Sequence, residues 1–473
     1  MAELKEVLSN LDFYLNSWLD LAHGLHGFIV DPRRIQLAVI EPDSASQAAL
    51  ILGHLNLFEK TGKQSYLEQA MKEAEWLVAN YIWEANIFYN SCFEHKPASN
   101  EAYTTLFGNA YATLALSRLC NVLKGQNRDY TRFFNVAKNN MERFIIASAW
   151  HHSKTFVEFS YDEMIFNICS AATAIRALLE YSKLTDAASM IDEYCVPTAM
   201  QILKWQYKDG CFTLDERDEF APLFNCALTL EGLAELCKAK ENNLVLSRIK
   251  DAAAFIEKSI HPNEKLFYYG YHGDNFMRYP LYIAQSAVIA SVLKRLSNLG
   301  LSYASADAVL ESVYSKQLPN GAFQSFVSFC NVLEEKENKR AKYVQWQDVL
   351  PCPCWNAFAF EFLSALLPEN TEMPLPSANF PCNYESKDYS ITERDSTLVF
   401  FAKDGSLAAK WFKAHSTWLF GKLYITKRPI ELPQEPVVKE KKPKVVIKPK
   451  PVIKRAKPQK PAQKKSFFGL FGR

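Results

Sequence analysis

Between Phe267 and Pro280 the chain reads Phe-Tyr-Tyr-Gly-Tyr-His-Gly-Asp-Asn-Phe-Met-Arg-Tyr-Pro. An imidazole (His272), a carboxylate (Asp274), a guanidinium (Arg278) and four tyrosines (Tyr268, Tyr269, Tyr271, Tyr279) thus fall within fourteen residues. Gly270 and Gly273 let such a segment turn sharply. Two shorter runs join carboxylates to aromatic residues in the same way, Tyr161-Asp162-Glu163 and Trp346-Gln347-Asp348. Chemistry on a sugar needs both kinds of group, carboxyls as acid, base or nucleophile and aromatic faces against pyranose rings. On that ground Asp162, Glu163, His272 and Asp274 are the candidate catalytic residues. Tyr161, Tyr269, Tyr271, Arg278, Tyr279, Trp346 and Asp348 are the candidate substrate contacts. Asp and Glu also serve helix N-caps and first turns through backbone satisfaction and the helix dipole, so each carboxylate has a structural reading beside the catalytic one.

These runs sit where helices are expected to begin. Apolar, small-residue segments open near Ser44, Tyr103, Glu163, Glu219, Arg278 and Asp348, at separations of 59, 60, 56, 59 and 70 residues. The stretch Ala48 to Leu55 is apolar or small at almost every position, the pattern of a helix surrounded on all sides. Between such segments lie amphipathic ones. Leu246, Ile249, Ala252, Ala253, Ile256 and Ile260 recur at three and four, with Lys250, Asp251, Glu257 and Lys258 between them. A period of this length holds a pair of helices of about fifteen residues with two loops. Five pairs, an N-terminal helix over Leu4 to Leu25 and a final one over Trp355 to Leu367 make six hairpins. The expected fold is all-α, an (α/α)6 toroid over residues 1–370. A ring is preferred to an open solenoid because neither terminal helix is a polar cap. In a ring the inner helices run parallel, so the loops before them gather at one mouth.

Thr61-Gly62-Lys63-Gln64-Ser65-Tyr66-Leu67-Glu68-Gln69-Ala70, ending in Glu75-Trp76-Leu77, resembles the hairpin connection and outer helix of six-hairpin glycosidases, lyases and sugar epimerases. Gln206-Tyr207-Lys208-Asp209-Gly210-Cys211-Phe212 and Gln317-Leu318-Pro319-Asn320-Gly321-Ala322-Phe323 are similar to the Q-x-x-x-G-x-F/W repeats of terpene-cyclase and prenyltransferase toroids. The first resemblance implies acid/base chemistry on a sugar or oligosaccharide ligand by a hydrolase, lyase or epimerase; a non-catalytic toroid that binds glycan or protein is the alternative. The second implies terpene cyclisation, but the chain has no D-x-D-D motif. Asp209-Gly210-Cys211 with His272 resembles a prenyltransferase zinc set in the wrong register, and Cys352-Pro353-Cys354 is too tight for a zinc knuckle. No metal or cofactor is expected.

Composition supports one large core, with 48% hydrophobic and 13% aromatic residues. The 11 cysteines are scattered and many lie in apolar helical runs, so they read as reduced core thiols of a cytoplasmic protein. Residues 380–430 change to a period of two. Thr397 to Ala402, Asp404-Gly405 and Leu407 to Phe412 predict a hairpin, and Trp418 to Ile425 a further strand. From Glu431 onward, thirteen Lys or Arg face three Glu, a local charge of +10 that leaves −8 on the rest of a chain whose net charge is +2. An acidic body argues against a nucleic-acid partner. Pro433 to Lys465 reads as an extended basic linker and 466–473, Ser-Phe-Phe-Gly-Leu-Phe-Gly-Arg, as an apolar tip. Basic charge beside an apolar tip suits an anionic membrane surface, here the inner membrane face, or a protein partner.

Overall fold

The structure is a computed structural model. It describes residues 2–88, 104–318, 320–323, 326–327 and 353–378, and six strands between 384 and 426; within the first two spans 21–23, 26, 32–35, 41–42, 161–162, 186–187, 217–218 and 273–274 lie outside the description. The chain divides into two units, Met1–Pro429 and Ile430–Arg473. The expected basic linker and apolar tip lie outside the described residues.

The first unit holds α1 (Ala2–Trp18), α2 (Ser44–Thr61), α3 (Gln64–Ala79), α4 (Leu106–Gly125), α5 (Thr131–Asn140), α6 (Ile168–Ser182), α7 (Ala188–Met190), α8 (Val196–Lys204), α9 (Leu223–Ala239), α10 (Asn243–Glu257), α11 (Ile283–Arg295), α12 (Ser305–Tyr314) and α13 (Pro353–Ser364). Each of α2, α4, α6, α9 and α11 packs on the next of the series, α11 packs on α13, and α13 packs back on α2. These six are the inner ring. Helices α3, α5, α8, α10 and α12 each lie against the inner helix before them, and α1 lies against α13, so the two ends of the body supply one hairpin between them. The fold is a closed (α/α)6 toroid.

The seam is tied by side chains. Asn56 Nδ2 in α2 donates to the carbonyl of Glu361 (2.7 Å) and to Ser364 Oγ (3.0 Å) in α13. Beyond α13 the chain crosses α1, where Ser9 Oγ donates to the Pro374 carbonyl (2.8 Å) and the Ser377 amide to Asn10 Oδ1 (2.8 Å). Leu4, Val7, Leu8, Leu11 and Leu15 bury the inward stripe of α1, as its 3.6-residue pattern dictates.

A recurring turn follows the outer helices. Asn86, Lys154, Gly210, Lys265 and Gly321 have positive φ, and the residue two further on is always a fully buried phenylalanine: Phe88, Phe156, Phe212, Phe267 and Phe323. Three of these Phe amides donate to the fourth residue of the next inner helix: Phe88 to Asn109 Oδ1 (2.8 Å), Phe267 to Ser286 Oγ (3.1 Å) and Phe323 to Asn356 Oδ1 (2.7 Å). In α9 the fourth residue, Cys226, donates its thiol to the Phe212 carbonyl (3.0 Å). The two Q-x-x-x-G-x-F elements are members of this series. Gln206 Nε2 donates to the Gly210 carbonyl and to that of Arg248 in α10, and Gln317 Nε2 to the Gly321 carbonyl and to that of Val7 in α1, all at 2.8 Å. A Cβ on Gly210 would stand 2.4 Å from the Asp251 carbonyl oxygen, and one on Gly321 2.0 Å from that of Asn10. The motif therefore seals one outer helix to the next.

Five inner helices begin three to five residues later than expected, and before three of them, α6, α9 and α11, the chain forms short strands rather than a first helical turn. Glu163–Ile165 pairs with Glu158–Ser160, and Asn275–Met277 with Gly270–His272, which also pairs with Ala221–Pro222. The first helix stops at Trp18 rather than Leu25, since Gly24–Leu25 turns back on Leu19–Asp20. Near the C-terminus six strands form an antiparallel meander that includes the expected pair Thr397–Ala402 and Leu407–Phe412. Trp418 to Ile425 is two strands rather than one, Thr417–Phe420 and Leu423–Thr426, with the hairpin-type sequence Gly421-Lys422 between them.

Candidate functional site

The axis of the toroid is filled in layers. At the N-terminal end of the inner helices, Phe358 of α13 meets Phe107 of α4 (6.3 Å between centroids, stacked) and Phe224 of α9 (5.8 Å, edge-on). Helices α4 and α9 stand on opposite sides of α13, so these rings span the axis and floor the mouth. Tyr282 stacks edge-on against Trp355 at 4.4 Å and packs on Tyr269 at 5.7 Å, adding an aromatic wall. One turn deeper, Tyr111 Oη donates to Glu361 Oε2 (2.7 Å) and Arg176 Nη2 to Glu361 Oε1 (3.2 Å), all fully or almost fully buried. Burial raises the Glu361 carboxyl despite Arg176 and Tyr111. This ionic layer separates the mouth from the opposite end of the ring.

One carboxyl stands out at the mouth. Glu158 opens the Glu158–Ile165 hairpin and bridges two helix N-termini: the hydroxyl of Ser170, third residue of α6, donates to its Oε2 (2.8 Å), and the amide of Leu106, first residue of α4, also bonds it. Burial raises its pKa above the ordinary glutamate value, outweighing both donors. Phe107, beside Leu106, belongs to the aromatic floor. A carboxyl that keeps its proton nearer neutrality can serve as a general acid. Asp43 also lines this end. It caps α2 by accepting from the Ser46 amide (2.8 Å) and hydroxyl (2.7 Å), and burial raises its pKa against those bonds and the Cys354 thiol.

The sequence-derived candidates are distributed as follows. Glu163 heads the second strand of the Glu158–Ile165 hairpin, opposite Ser160. Tyr161, Asp162, Asp274, Trp346 and Asp348 lie outside the described residues. His272 and Arg278 are exposed, His272 at the end of its strand opposite Asn275. Tyr269 joins the mouth wall. Tyr271 instead packs edge-on against Phe255 of the outer helix α10 (5.1 Å), and Tyr279 Oη lies 3.2 Å from His261 Nε2. The loop thus divides its aromatic residues between the mouth and the outer layer. Glu158 is not among the sequence-derived candidates because it lies ten residues before α6, away from the residues that immediately precede an inner helix. Its signal was a Glu starting an alternating run, Glu158-Phe159-Ser160.

The seven cysteines among the described residues are free thiols, six of them buried. Burial pushes Cys120 and Cys226 up to about 12, which leaves them inert near neutrality. No group of His, Cys, Asp and Glu with metal-site geometry occurs among the described residues, and no helix among them is long and apolar enough to cross a membrane.

No protein-family model matches the chain, and no curated protein does. Solved structures are similar throughout the toroid. A sugar epimerase from a ruminal bacterium has a TM-score of 0.56 and 13% identity over 76% of this chain and 98% of its own. A D-mannose isomerase gives 0.56 and 14% over 76% and 96%. An inactive variant of the α-1,6-mannanase GH76A of Salegentibacter sp. HEL1_6, in complex with α-1,6-mannotriose, gives 0.52 and 12% over 76% and 98%. At such identities the likeness is one of fold.

Proposed function

We propose that this chain binds a sugar or oligosaccharide at the N-terminal mouth of the toroid and carries out acid/base chemistry on it, with Glu158 as the proton donor. The observation that carries the reading is the position of Glu158, a half-buried carboxyl with raised pKa held between the N-termini of α4 and α6, at the end of the toroid where Phe107, Phe224 and Phe358 meet. In this reading a pyranose ring lies against the aromatic floor and the Tyr282–Trp355 wall. Glu158 passes its proton to a glycosidic or carbonyl oxygen, and a carboxylate from Asp162 or Glu163 on the same hairpin acts as base. His272 and Asp274 serve as further polar contacts. The sugar-handling proteins that share the fold, an epimerase, an isomerase and a mannanase, support the substrate class.

The test is turnover by the full chain of D-mannose, cellobiose and α-1,6-mannotriose, with proton NMR in deuterated water to detect both exchange at C2 and new reducing ends. Glu158→Gln is expected to lower kcat by about 10²–10⁴-fold with little change in KM. Wild-type activity is expected to fall as pH rises through the elevated Glu158 pKa, since the acid must be protonated. Undiminished kcat in Glu158→Gln would remove Glu158 from the reaction. Saturable sugar binding with no turnover by the wild-type chain would replace catalysis with recognition.

A further inference from the structure

The opposite end of the ring holds a cavity of about 810 Å³, within the range of small-molecule sites. Its walls come mainly from the C-terminal halves of α2, α4, α6 and α9, with Arg295 at the end of α11. Guanidinium groups converge on it from three of them: Arg118 of α4, Arg176 of α6 and Arg295 of α11. Lys183 and Lys238 lie at its edge, and the carboxylates on its lining are Glu59, Glu180 and Glu235. Behind the wall sit Glu361, 3.2 Å from Arg176 Nη2, and Glu231, 2.7 Å from Arg295 Nη2. Most of these charges are matched within the wall: Arg118 Nη2 donates to Glu59 Oε2 (2.5 Å), and Lys183 Nζ to Glu180 Oε2 (2.6 Å). Arg176 is not fully matched. Its side chain is 5% exposed, and its buried Nε has no hydrogen-bond partner, the Glu235 carboxylate being 3.5 Å away. A buried guanidinium N–H left without an acceptor costs free energy that a bound acceptor recovers.

From the cavity, the three guanidinium groups on its wall and the orphan Arg176 Nε, we propose that this end of the toroid is a binding site for a small organic anion bearing a carboxylate or phosphate. The oxyanion lies among Arg118, Arg176 and Arg295, and its carbon skeleton against Leu52, Leu114 and Leu179. Planar guanidinium groups recognise both kinds of oxyanion by paired N–H donors. This site is separated from the mouth by the Tyr111–Arg176–Glu361 layer, so it stands independently of the sugar reading.

Isothermal titration of the full chain with glucose 6-phosphate, inorganic phosphate and citrate, with glucose as the neutral control, tests it at constant ionic strength. Saturable binding of at least one anion and none of glucose is expected. The ranking of phosphate ester against carboxylate then identifies which oxyanion the site takes. Arg118→Gln and, separately, Lys238→Gln remove cations from less buried positions of the wall; Arg118→Gln is expected to weaken binding about tenfold or more, and Lys238→Gln less. Glu158→Gln, at the other end, should bind the anions as the wild type does. Absence of saturable binding by the wild type, or equal affinity in a folded Arg118→Gln variant, overturns the proposal. So does binding that sodium chloride alone abolishes equally in every variant.

Discussion

His54 of α2 is held between two carboxylates, with Nδ1 2.9 Å from Glu73 Oε2 of α3 and Nε2 2.9 Å from Asp12 Oδ1 of α1. Burial by itself would depress the imidazole, but Glu73 and Asp12 push it up to about 10. The ring is therefore an imidazolium that pins α2 to two outer helices. An unfolded histidine titrates near 6.5, so the folded-state pKa lies above the unfolded one. The stabilisation is then fully present below about pH 6.5 and is lost as pH rises towards 10. Thermal unfolding midpoints measured from pH 6 to pH 10 are expected to fall across that window in the wild type. His54→Gln is expected to flatten this fall and to lower stability by about 3–5 kcal/mol near neutrality, because Glu73 is left buried without its counter-charge. Parallel pH profiles for the two proteins would mean that His54 is not the group responsible. The sequence offered a histidine within an apolar run; only the crossing of three helices supplies its two partners.

At the scale of elements, the inner helices approach one another through small residues. Gly53 in α2 faces Phe360 of α13, and a Cβ there would stand 2.3 Å from the Phe360 ring, which is fully buried. Gly53→Ala is expected to destabilise the ring by about 1–3 kcal/mol through overpacking at the closing seam, as measured by urea unfolding. A second substitution, Phe360→Leu, should restore part of that loss if the clash is its cause; no rescue would place the cost elsewhere. The inner helices were legible because full burial leaves a continuous apolar run, and the outer ones because one face stays wet. Their starts were less legible. Asp, Glu and Tyr suit both a helical first turn and the strand before it, and pairing such as Ser160 with Glu163 decides between them. The turn series was visible in sequence only where glycine occupies the positive-φ position, at Gly210 and Gly321, with the matching glutamine. Asn86, Lys154 and Lys265 adopt the same region without that signature, so three of five members escaped notice. The candidate site was legible as a place, the mouth before the inner helices. It was not legible as a residue, since the raised pKa of Glu158 comes from its partial burial between α4 and α6.

At the scale of the whole molecule, the asymmetry of charge sets a body of −8 against a C-terminal segment of +10. Its last eight residues hold three Phe and one Leu. Each basic residue near an anionic bilayer contributes about 1 kcal/mol, and partial burial of four apolar side chains adds roughly a few kcal/mol. Either contribution alone is weak; their sum is enough for reversible attachment, in the way that one acyl chain and a polybasic patch act together. We therefore expect the full chain to sediment with vesicles containing phosphatidylserine and to remain in solution with vesicles of phosphatidylcholine alone. Deleting 466–473 should abolish most of the sedimentation while leaving the unfolding midpoint of the toroid unchanged. Raising the salt to 0.5 M should weaken it too, because the basic contribution is screened within a Debye length of a few ångströms. Sedimentation that survives the deletion would move the attachment to another surface. A full chain that stays in solution with anionic vesicles would leave the Phe-tipped segment to a protein partner, for which its basic charge and apolar tip are equally suited.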